Sequence, residues 1–157
     1  MGINLQVVGI FYSVKLDAEE VKGATVKDVL EAAKKNPGEG KSFDYGSCFC
    51  TKDGKSLVKS FTAKYDKGFS SRVSNFSYKA GTYTLEQNLN TASPSYTVWQ
   101  YYVLDENGKR VKLPEATASY TTNLDIKDGY SVIWRLISVL KGPTQISDAQ
   151  TKLQAYS

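Results

Sequence analysis

The chain holds only two cysteines, Cys48 and Cys50, in the stretch Tyr45-Gly-Ser-Cys-Phe-Cys-Thr-Lys-Asp-Gly54, and it has no histidine. Two thiolates are soft ligands, but tetrahedral zinc or an iron–sulfur cluster needs about four. Another chain or a carboxylate must complete the shell, and Asp44, on the same strand parity as both cysteines, is the candidate carboxylate. As a redox pair the cysteines are poorly spaced. Residues i and i+2 of an extended strand hold their Cα atoms about 6.5–7 Å apart, at the limit for a disulfide, so a bend would be required. An interchain or redox role, a metal role and simple packing of two small apolar side chains under a second layer all stay open. Strand alternation puts Phe43, Tyr45, Ser47 and Phe49 on one face, the better candidate for the core, and Asp44, Gly46, Cys48 and Cys50 on the other.

Other chemistries fall away. Without histidine there is no Ser-His-Asp or Cys-His nucleophile pair and no imidazole metal ligand. No Gly-x-Gly-x-x-Gly follows a strand and no Gly-x4-Gly-Lys-Ser/Thr occurs, so the backbone cradles for nucleotide phosphates are missing. The carboxylate pairs Glu19-Glu20, Asp105-Glu106 and Asp125/Asp128 fall in turns or helix approaches, where solvated side chains are the rule. None forms a calcium-binding loop. No catalytic residue is assigned and no cofactor is expected.

The aromatic residues are more informative. On an extended strand Trp99 and Tyr101 share one face, Tyr96 and Tyr102 the other, with Tyr83, Tyr120 and Tyr130 on neighbouring strands. One set must be core. The other, if exposed, would form a platform for a sugar ring, a planar ligand or a partner protein, because tyrosine gives contact area at low entropy cost. Trp99, Tyr101, Tyr96 and Tyr102 are therefore the candidate ligand-binding residues. Lys59, Lys64, Lys67, Arg72 and Lys79 interleave with Phe61, Tyr65 and Phe76 in the manner of single-strand nucleic-acid surfaces. The net charge of +4 is nevertheless scattered among carboxylates, which disfavours nucleic acid.

The elements that must position these residues are mostly strands. A chain of 157 residues fits one domain and buries roughly 70% of its unfolded surface without disulfides. Residues 3–16 alternate as one long, bent strand with Gly9 as a bulge. Thr25 caps a helix over about 25–35, whose Val26, Val29, Leu30 and Ala33 form a single apolar stripe. From residue 43 onward the period is two, predicting strands at 43–50, 56–65, 69–78, 82–89, 96–104, 109–113, 119–126 and 130–140. Asn107-Gly108, able to take positive φ, marks the surest hairpin, and 130–140, apolar on both parities, is predicted to be a central strand covered on both faces. The fold class is α+β, predominantly antiparallel: one sheet-rich, β-grasp-like domain over 1–141 with one packed helix. Residues 142–157 are a tail or a short helix capped by Ser147. The N-terminus lacks the basic start and apolar run of a signal peptide, and no stretch is long enough to span a bilayer. Asn75-Phe-Ser77 is a sequon that matters only on export.

The helix segment Thr25, Val26, Asp28, Leu30, the hairpin segment Trp99, Tyr101, Tyr102, Val103 and the turn Asp128, Gly129, Val132 together resemble the β-grasp modules of the domain-of-unknown-function 4430 and transcobalamin C-terminal-like group. About half the chain is covered. Asn107-Gly108 lies further from the tyrosines than in that group, Tyr130 stands where an acid is usual, and the insert 56–95 has no counterpart. The resemblance implies an accessory or binding module on extracellular or cell-surface proteins. The reading is a non-catalytic binding or assembly module that presents an aromatic strand surface to a protein partner, a second copy of itself or a carbohydrate. The alternative is a small redox or metal protein, or an accessory subunit, using Cys48 and Cys50.

Overall fold

The N-terminal alternation yields two strands, β1 (Ile3–Val7) and β2 (Tyr12–Leu16), paired antiparallel with Val7 opposite Tyr12. The single bent strand expected over 3–16 is folded back at residues 8–11, where Gly9 (φ 112°) and Phe11 (φ 55°) take left-handed backbone. The parity of the sequence carries the reason. Leu5 and Val7 are odd while Tyr12, Val14 and Leu16 are even, and a reversal between them brings both sets to one face. This computed structural model describes residues 2–50, 54–70, 77–88, 95–114 and 118–140, without the side chains of residues 50, 70, 95, 96, 139 and 140.

Helix α1 (Val26–Lys35) starts at Thr25, whose Oγ1 accepts from the Asp28 N–H at 3.2 Å while the Asp28 carboxylate accepts from the Thr25 N–H at 3.0 Å. This reciprocal box satisfies two of the helix's orphan donors. Val26, Val29, Leu30 and Ala33 are all buried, as their spacing predicts. Seven strands follow: β3 (Lys41–Cys50), β4 (Lys55–Tyr65), β5 (Phe69–Ser70), β6 (Ser77–Tyr78), β7 (Gly81–Glu86), β8 (Ser95–Leu104) and β9 (Ser131–Leu140).

The main sheet has the order β2-β1-β9-β8, with β8 and β9 antiparallel and β1 parallel to β9. Two hairpins flanking a helix, their outer members meeting in parallel at the centre, make the β-grasp-like order expected. β9 is central in the sheet as expected, but among the described residues it is not covered on both faces: Val132 and Trp134 are buried, whereas Ile133 and Ile137 on the other parity are half-buried and Arg135 is exposed. A second antiparallel sheet, β3-β4-β7, and a short β5-β6 ribbon are inserted between the helix and the last hairpin. The inner face of the main sheet carries Leu5, Val7, Tyr12, Val103, Val132 and Trp134, all buried. Phe43 stacks on Tyr12 at 4.3 Å, and Phe61 meets Trp99 and Trp134 edge-on at 4.7 and 5.2 Å, which ties the second sheet to the first.

Two predicted strands are turns. Segment 119–126 makes one bridge, Thr25 to Asn123, because the Asn123 side chain accepts from the Asp125 N–H and Asp125 takes φ 53°, which breaks the extended run. Segment 109–113 reaches β8 only through the Leu104–Arg110 bridge and the bond from the Val111 N–H to the Val103 carbonyl. Its turn takes left-handed backbone at Gly108 (φ 78°) but not at Asn107, and Asp105 Oδ1 holds it by accepting from the Asn107 and Lys109 N–H groups. The tail 142–157, Arg72, Asn75 and Phe76 lie outside the described residues. Among the described residues no helix is long and apolar enough to cross a membrane.

Candidate functional site

Strand β8 does alternate as the sequence predicts, but the face carrying Trp99 and Tyr101 is turned inward. Trp99 is 2% exposed and Tyr101 8%. They stand opposite Leu136 and Trp134 of β9, and the Tyr101 hydroxyl donates to the Ser119 carbonyl at 2.8 Å. A void of about 10 Å³ remains between Leu57, Trp99, Tyr101 and Tyr120. That is room for a single water molecule at most. Trp99 and Tyr101 therefore pack the interface between the sheets and offer no face to a ligand. Tyr102, on the opposite parity, is half-buried, with the Arg110 guanidinium 4.7 Å from its ring centre. The backbone of Tyr96 pairs with Val139, and its side chain lies outside the described residues.

Cys48 is half-buried opposite Leu57; the backbone of Cys50 pairs with Lys55 and its side chain lies outside the described residues. Asp44 turns toward the helix, 3.2 Å from Lys34 Nζ, and its carboxylate also accepts from the Tyr45 N–H. Four residues along a strand separate Asp44 from Cys48 by about 13 Å, too far to share one metal ion. Among the described residues no group of three or more cysteine or carboxylate side chains could hold a metal.

The face predicted to be core fades along β3. Phe43 is buried and Tyr45 half-buried, but Ser47 is exposed and Phe49 is 57% exposed. The pairing explains this: β7 stops opposite Ser60, and the register of β3 on β4 skips Lys59. Beyond that bulge the second sheet narrows to a two-stranded arm. One side of the arm is held by residues 118–120, through Ser119 Oγ on the Ser56 N–H and the Ser56 carbonyl on the Tyr120 N–H. Phe49 stands clear of it.

The feature that sequence reasoning missed is an aromatic nook. Phe11, Phe69, Tyr78 and Tyr83, with Gly9, Ile10 and Leu85, line a pocket of about 140 Å³. Phe69 stacks on Tyr78 at 5.1 Å and meets Tyr83 edge-on at 5.7 Å; Phe11 lies 5.4 Å from Tyr78. Tyr65 backs the group, stacking on Phe69 at 3.9 Å and donating from its hydroxyl to the Phe11 carbonyl at 3.3 Å. Burial pushes the Tyr65 phenol up to about 12. Left-handed backbone at a bulky residue such as Phe11 costs energy and persists where neighbours fix it. Gly9 permits the close approach, because a Cβ there would lie 2.7 Å from Leu85 Cδ1. No local periodicity announces this site: its rings come from the β1–β2 turn, the β5–β6 ribbon and β7, and only the tertiary fold gathers them.

The nook adjoins a strand edge. β7 is the outermost strand of its sheet. Gln87 donates its N–H to the Lys59 carbonyl in the register of β4 and β7, so alternation turns the N–H and C=O groups of Thr82, Thr84 and Glu86 away from β4. Residues 81–85 carry no charge and no proline, the usual protections of an open edge. No protein-family model, no curated protein and no solved structure matches the chain.

Proposed function

We propose that the protein is a non-catalytic binding or assembly module that presents an aromatic strand surface to a protein partner, with the nook and the β7 edge as that surface. The observation that carries this is the convergence of four half-buried rings, Phe11, Phe69, Tyr78 and Tyr83, on a pocket of about 140 Å³ beside the outermost strand of its sheet among the described residues. A pocket of that size accepts one ring, and the edge offers backbone groups to an extended segment. A protein suits it better than a sugar. The Tyr83 hydroxyl is committed to the Lys79 carbonyl, and Thr84 Oγ1 to Thr62 Oγ1 at 3.0 Å, so the hydroxyls of a pyranose would be buried with few partners.

The test is a titration with N-acetyl-phenylalaninamide and, in parallel, with methyl glucoside. The amide is expected to bind saturably and the glucoside not. Tyr78→Ser should weaken the amide at least about tenfold, the equivalent of about 1.4 kcal/mol, with the unfolding transition intact. Saturable glucoside binding alone would favour a carbohydrate partner, and no binding of either compound would remove the nook as a site.

A further inference from the structure

Phe49 is the only large hydrophobic side chain that stands exposed among the described residues, at 57%. It sits on β3, the opposite edge strand of the sheet that ends in β7. The two features share one side of that sheet. Tyr45 pairs with Phe61 and Phe61 with Leu85, and the residue skipped at the bulge, Lys59, belongs to β4, so β3 keeps its alternation and Phe49 stays on the side of Tyr45, Leu85 and Tyr83. They cannot meet within one chain. Phe49 lies about 13 Å further along the strand than Tyr45 and about 10 Å across the sheet from Leu85, beyond the reach of a phenyl side chain. One edge thus carries a ring without a pocket, and the other a pocket that fits one ring.

We infer that the partner of the nook is a second copy of this chain, whose Phe49 enters the pocket between Phe11, Tyr78 and Leu85. This rests on the reading of the nook as a protein-binding site and names its occupant. The contact is heterologous, because knob and pocket lie on different surfaces, so each bound copy still offers a free Phe49 at one end and a free pocket at the other. Association therefore continues past a dimer, into rings or open chains. A contact built on one ring in one pocket falls short of a standard-size stable interface, which places assembly at high protein concentration.

Sedimentation velocity of the full chain up to about 1 mM tests this. The expected result is a weight-average sedimentation coefficient that rises with concentration without levelling at the dimer. Phe49→Ser should abolish the rise, Thr84→Lys should weaken it by placing a charge on the β7 edge, and N-acetyl-phenylalaninamide should reverse it. A chain monomeric throughout, or a Phe49→Ser variant that associates like the parent, overturns the inference. Binding of the amide by a monomeric chain would leave the binding-module reading standing while this inference falls; no binding of the amide would remove both. Matching unfolding transitions for parent and variants show that the substitutions act at the contact.

Discussion

Trp99 shows what a single side chain is for in this molecule. Its ring meets Phe61 edge-on at 4.7 Å where the two sheets face each other, and it is 2% exposed. Trp99→Ala is therefore expected to cost about 3–5 kcal/mol, seen as a lower urea midpoint, the range for removing a large buried aromatic. A fold of unchanged stability with weakened ligand binding would return Trp99 to the surface. The tyrosines give a pH prediction. Burial raises the phenol pKa of Tyr12, Tyr45 and Tyr65, the last to about 12. A raised folded pKa means stability fully present below the unfolded value of 10.0 and lost as pH climbs through about 12. Lys41, whose ammonium pKa burial lowers, acts in the opposite sense below 10.5, so the net loss is confined to strongly alkaline solution. Absorbance of tyrosinate against pH should show part of the titration delayed and coincident with unfolding. Tyr65→Phe should flatten the slope, and a single transition near 10 with the fold intact would contradict it.

At the scale of elements, legibility followed the range of the interactions. Helix α1 was readable because its determinants are local: the Thr25–Asp28 box and the stripe Val26, Val29, Leu30, Ala33 lie within three turns. Thr25→Ala should accordingly cost about 1 kcal/mol in urea unfolding, and Thr25→Ser much less, because only the first removes the hydroxyl that accepts from the Asp28 N–H, while the bond from the Thr25 N–H to the Asp28 carboxylate is kept in both. The central place of strand β9 was legible as well, but its burial on one face alone was not, because Ile133 and Ile137 look as apolar as Val132 and Trp134 in the sequence. Segment 3–16 was not, because Gly9 permits either a bulge or a reversal and only the pairing of Val7 with Tyr12 decides. The blocks that resemble the β-grasp group each have their own structural reason here: Thr25 caps, Trp99 packs between the sheets and Gly129 turns at φ 89°.

At the scale of the whole molecule, the inserted sheet is what makes a surface out of a β-grasp-like core. It covers the inner face that holds Trp99, Tyr101 and Trp134, and in doing so leaves β7 as an edge beside the β1–β2 turn. Sequence parity correctly split the β8 aromatics into two faces, yet which face is core depends on where β3, β4 and β7 dock, and that is not local information. The nook was illegible for the same reason: Phe11, Phe69, Tyr78 and Tyr83 span more than seventy positions of the chain. Its existence as a binding site is best tested by mapping amide chemical-shift changes during the N-acetyl-phenylalaninamide titration. The expected changes fall on Gly9, Ile10, Phe11, Phe69, Tyr78 and Tyr83–Leu85; changes centred on Tyr102 and Arg110, or none at saturating ligand, would contradict it.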